Sequence, residues 1–94
     1  MAVYVVTWNL NREANYDAKR TAFLKHLERY QNVADPDLES VRWVSGNMSA
    51  HDLSADLQQK LDKNDGIFVS RLVRGEYQGY LSNATWEWIR QRLD

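Results

Sequence analysis

Apolar residues fill both alternating sets at the start of the chain. Over residues 3 to 9 one face of an extended segment would carry Val3, Val5, Thr7 and Asn9, and the other Tyr4, Val6, Trp8 and Leu10. A strand greasy on both faces is predicted to be covered on both sides. It ends abruptly in polar residues, Asn9, Asn11 and Arg12, at the lip of the sheet where α/β proteins place their chemistry.

The spacing then turns helical. Tyr16, Phe23, Leu24, Leu27 and Tyr30 share one face of a helix predicted over residues 16 to 31, with Asn15 as N-cap and Lys25 and Arg29 on the wet side. A turn at Ala34-Asp-Pro-Asp37 leads to a second strand over residues 39 to 45, and Met48 is read as the stub of a further one. Ser49 caps a helix over residues 50 to 62 with Leu53, Leu57 and Leu61 on its apolar stripe. Residues 67 to 73 form the next strand. Residues 77 to 81 read as a short edge strand or loop, after which Ser82 caps a last helix with Trp86, Ile89 and Leu93 aligned.

The order is β-α-β-(β)-α-β with a C-terminal helical appendage over residues 77 to 93. It predicts an α+β fold, a ferredoxin-like β-α-β-β-α-β sandwich, as a single domain over residues 1 to 94 with its core in residues 1 to 73. Two helices in one layer cover one sheet face only. The second face therefore needs the C-terminal helix, a second copy of the chain, or both; a homodimer is expected, with intrachain cover by residues 77 to 93 as the alternative. Trp86 and Trp88 are the expected intersubunit anchors.

Composition narrows the function. The 94 residues include 27% charged and 44% hydrophobic positions, as in a soluble globular domain. No run is apolar enough for a membrane span, no signal peptide is evident, and there are no cysteines, so a cytoplasmic location is expected. The net charge of −1 lacks the basic excess of a dedicated nucleic-acid binder, so such a role needs a local patch. Arg12, Lys19, Arg20, Lys25 and Arg29 could supply one, or be ordinary solvated charge with Asp17 and Glu28 as partners. Asn9 and Asn11 either bond nucleotides or satisfy loop backbone groups. His26 and His51 have no second ligand at metal spacing and read as surface histidines.

Three segments resemble a known family. Val3-Tyr-Val-Val-Thr-Trp-Asn-Leu10 resembles the opening strand of the small CRISPR-associated adaptation protein and of VapD-type toxin ribonucleases. Val44-Ser-Gly-Asn-Met-Ser-Ala-His-Asp-Leu53 and Asp65-Gly-Ile-Phe-Val-Ser-Arg-Leu72 resemble segments that follow in them. The whole chain also resembles the SinR-like small bacterial proteins. The resemblance implies a ferredoxin-like homodimer and metal-dependent phosphodiester cleavage, with an acidic residue at the end of the first strand. The matching position is Asn9, whose neutral amide is a poor Mg²⁺ ligand; Glu13 is the carboxylate within reach. The expectation is a nucleic-acid-binding homodimer with weak or no cleavage. Asn9 and Glu13 stand at the catalytic position, and Asn11, Arg12, Lys19 and Arg20 are binding residues. No metal ligands are assigned and no cofactor is expected, unless Mg²⁺ supports residual cleavage of RNA or DNA. The alternative is a non-catalytic dimer that docks another protein.

Overall fold

The structure, a computed structural model, describes residues 1–93. It is an α+β fold with β1 (Ala2–Asn9), α1 (Tyr16–Leu27), β2 (Gln31–Asp35), β3 (Leu38–Gly46), α2 (Ala50–Leu57), a 3₁₀ turn (Gln58–Lys60), β4 (Gly66–Arg71) and α3 (Asn83–Arg92). The four strands form one antiparallel sheet in the order β2-β3-β1-β4. β1 is central, opposite β3 from Ala2↔Gly46 to Thr7↔Val41 and opposite β4 from Tyr4↔Arg71 to Asn9↔Gly66. No helix among the described residues is long and apolar enough to cross a membrane.

The alternation of β1 sorts two cores. Tyr4, Val6, Trp8 and Leu10 meet Phe23 and Leu27 of α1 and Leu53 and Leu57 of α2, with Val44 from β3. Trp8 lies against Phe23 at a centroid distance of 5.0 Å with tilted rings, a favourable aromatic geometry. On the opposite face Val3 and Trp43 pack against Ile89 and Leu93. Leu72, Tyr77, Leu81, Trp86 and Trp88 border that second core. The C-terminal segment thus covers part of the second face within the chain.

The strand after the first helix lies elsewhere than expected. The helix stops at Leu27 rather than residue 31, and the additional strand is β2, before the Pro36 turn, rather than a stub at Met48. Tyr30 still reaches the first core, but from the turn. Gln31-Asn-Val33 gains more by pairing with β3, which would otherwise be an edge, than by extending the helix. Pro36 and Asp37 close the hairpin. Pro36 fixes a negative φ, and no residue other than glycine has a positive one among the described residues, so the turn cannot be of a primed type. A register shift accommodates the mismatch: Val33 faces Trp43, yet Asp35 faces Leu38.

Other boundaries move for local reasons. The second helix tightens to 3₁₀ after Leu57, and Leu61 packs on the first core from beyond it. The strand expected over 67 to 73 is Gly66–Arg71, although Leu72 still donates its N–H to Val3 O at 2.9 Å. Residues 77 to 81 form no strand. Gly75 adopts φ +81 in the turn that leads the chain under the sheet.

Capping follows the sequence at two helices. Ser49 accepts from Asp52 N and Ser82 from Thr85 N, whereas Asn15 occupies the N-cap of α1 without a side-chain bond. A buried carboxylate fixes α3 to the hairpin. Asp35 accepts from Ser82 N at 2.8 Å, Asp37 N at 3.0 Å and Thr85 Oγ1 at 2.8 Å. The Ser82 and Asp37 backbone donors, then Thr85, hold its carboxyl below the ordinary carboxylate range against the opposing effect of burial.

Candidate functional site

β1 delivers Asn9 to its exposed end, opposite Gly66, and Leu10 then plunges into the first core. The loop between Leu10 and α1 is held by Asp65, from the turn before β4. Asn11 donates its backbone N–H to Asp65 Oδ1 at 2.8 Å, and Asp62 N and Lys19 Nζ both donate to Asp65 Oδ2 at 3.0 Å. The Asp65 side chain is fully enclosed. Burial pushes its carboxyl up, and the Asn11 and Asp62 N–H groups with the Lys19 ammonium more than reverse that, leaving it below the usual range.

Lys19 is not part of the exposed basic set. Its ammonium lies 2.7 Å from Asp62 Oδ2 and 3.0 Å from Asp65 Oδ2, and its side chain is nearly buried. Hydrogen bonds to Asp62 first, then Asp65, raise its pKa, so it stays charged. Asp62 is lowered in turn, chiefly by Lys19. Sequence reasoning missed this anchor. In the sequence Asp65 is visible only as part of an ordinary turn over residues 63 to 66, and Asp62 only as the end of the second helix.

Glu13 accepts from Asn11 Nδ2 at 3.2 Å and Asn64 Nδ2 at 3.5 Å. Arg12 is exposed, with its guanidinium 4.4 Å from the centroid of the Tyr16 ring, a cation–π pair. Arg20, one turn beyond Tyr16, is exposed without a polar partner among the described residues. The structure therefore gathers Asn9, Asn11, Arg12 and Glu13 at the tip of β1 and leads on through Tyr16 to Arg20.

This donor set does not suit Mg²⁺ within one chain. It offers neutral amides and a single carboxylate, and the two nearby aspartates are bridged by an ammonium rather than left open. No group of three His, Cys, Asp or Glu side chains that could hold a metal occurs among the described residues.

His26 is not the surface residue expected. Its Nε2 lies 3.0 Å from Asp56 O and 3.1 Å from Asp56 Oδ1, while Arg29 and Tyr30 both donate to Asp56 Oδ2. Burial pushes the Asp56 carboxyl up, and the Tyr30 and Arg29 bonds outweigh it, so the carboxyl lies below its ordinary range. The cluster pins the end of α1 to α2. His51 is exposed, 3.4 Å from Asp52. Trp86 stacks on Tyr77 at 6.1 Å and Trp88 lies under the Arg92 guanidinium at 4.4 Å, both half-buried against the second core.

Comparison of the chain with family models, curated proteins and solved structures returns no match.

Proposed function

We propose that this protein is a nucleic-acid-binding homodimer on a ferredoxin-like sandwich, with weak or no cleavage activity. The strand order β2-β3-β1-β4, with α1 and α2 over one face, supports the fold assignment. The observation that carries the functional reading is the exposed Arg12 guanidinium stacked on Tyr16, beside the exposed amides of Asn9 and Asn11. A cation on an aromatic ring offers both attraction for a phosphate backbone and a planar surface for an unpaired base. The amides add neutral donors and acceptors for backbone or base edges. Neutral amides at the β1 tip support binding over cleavage.

The second reading, a non-catalytic module that docks another protein, is favoured by Phe68. It is 63% exposed on β4, an edge strand, on the sheet face that α3 shares. An unpaired strand edge beside an exposed aromatic is a template for association.

The test is fluorescence anisotropy with labelled single- and double-stranded RNA and DNA over a salt series, followed by a cleavage assay with Mg²⁺ or Mn²⁺. Salt-sensitive binding is expected, preferring single strands, weakened by Arg12→Ala and without strand scission. Absence of binding at low salt would move the assignment to the docking module. Cleavage abolished by Glu13→Ala would restore a nuclease. Sedimentation velocity decides the dimer, and a monomer at all concentrations removes that part of the proposal.

A further inference from the structure

A second basic region lies away from the Arg12 platform. Ala22, Lys25, His26, Arg29 and Lys60 line a surface groove of about 360 Å³ between α1 and the 3₁₀ turn. Two of its cations, Lys25 and Lys60, are exposed and have no polar partner among the described residues. Arg29 points one nitrogen at Asp56 and donates Nε to His26 O at 2.8 Å, which fixes the guanidinium at the groove.

The nearby carboxylates are already engaged. Asp56 is shared by His26, Arg29 and Tyr30, Asp62 and Asp65 are held by Lys19, and Glu28 pairs with Arg42 at 2.7 Å. Three cations against one shared carboxylate leave the groove net positive, although the chain as a whole carries −1. Ala22 keeps one wall free of a long side chain. Two lysine ammoniums, beside an arginine held in place through Nε and Nη2, suit an anion that presents several oxygens at once, as a phosphate does.

We propose that this groove binds a phosphate group, through Lys25, Arg29 and Lys60. The phosphate belongs either to a small phosphorylated ligand or to a nucleic-acid backbone. The proposal goes beyond the Arg12 reading and does not need it.

The test is an NMR titration of ¹⁵N-labelled protein with inorganic pyrophosphate and, separately, with a short oligothymidylate. Pyrophosphate is expected to shift the amides of Ala22, Lys25, His26, Arg29 and Lys60 saturably. In the Lys25→Gln/Lys60→Gln variant the affinity should fall by about tenfold or more, since a charge-assisted contact is worth about that factor. Arg12→Ala should leave this response unchanged. Competition of oligothymidylate with pyrophosphate at the groove assigns the phosphate to a nucleic acid; pyrophosphate binding without competition assigns it to a small ligand. Shifts scattered equally over Lys63, Arg71 and Arg74, or an affinity untouched by the double substitution, would overturn the site. Oligothymidylate binding that depends on Arg12 while pyrophosphate leaves the groove unshifted would sink this proposal and spare the other.

Discussion

Ile89→Ala tests whether α3 closes the second sheet face in solution. Ile89 has no solvent exposure and lies among Val3, Trp43 and Leu93. The change removes three carbons, about 2.4 kcal/mol at about 0.8 kcal/mol per buried methylene. A residual cavity adds to this, so about 2–5 kcal/mol is expected. Helix propensity acts in the opposite direction, because alanine is the better helix former by a few tenths of a kcal/mol. Any loss therefore reports packing. For a chain of 94 residues the total stability is about 5–14 kcal/mol, so the effect is a large share of it. Urea denaturation followed by tryptophan fluorescence measures it, with Leu57→Ala in the first core as reference. A loss below about 1 kcal/mol for Ile89→Ala, beside an ordinary core penalty for Leu57→Ala, would refute docking of α3. A wild-type midpoint that rises with protein concentration would show that a second copy shares the stabilisation.

Asp35→Asn should lower stability at neutral pH. Because the native carboxyl lies below its unfolded value of about 3.9, its contribution is complete above that pH and fades as the pH falls through the native value. The melting temperatures of variant and wild type should therefore converge in acid, and a gap constant with pH would refute the assignment. Lys19→Met should raise the Asp62 pKa, read by carboxyl ¹³C chemical shifts; an unmoved value would show that the ion pair does not form. Gly75→Ala should cost about 1–2 kcal/mol in urea denaturation, because φ +81 places a Cβ in a disfavoured conformation although nothing obstructs it in space. An unchanged midpoint would show that the turn can relax.

Periodicity marked both faces of β1 as apolar and left the cover of the second face open between the C-terminal helix and a second copy of the chain. The alternation from Val3 to Leu10 assigns each side chain of β1 to a face, and the helical spacing of Phe23, Leu27, Leu53 and Leu57 selects what meets Tyr4, Val6 and Trp8. The contact of Ile89 and Leu93 with Val3 and Trp43 is decided by the tertiary structure, which folds α3 back on its own sheet. β2 was illegible because its first residue reads as the end of the helix and Ala34 and Asp35 as the start of the Pro36 turn, and only the vacant edge of β3 makes pairing the better outcome. At the site, Asn9, Asn11 and Arg12 were legible as a polar break after an apolar run. Their anchoring by Asp65 was not, since it joins residues 54 positions apart.

Local pattern thus determined β1, β3, β4, the three helices and the Ser49 and Ser82 caps, because those preferences act within a few neighbours. Only tertiary packing decided which charges remain free. Lys19 and Lys25 are equivalent in the sequence, yet one is held between Asp62 and Asp65 and the other faces an open groove. Electrostatic partnership depends on distance in space, and the chain fixes that distance only once the sheet has brought its distant segments together.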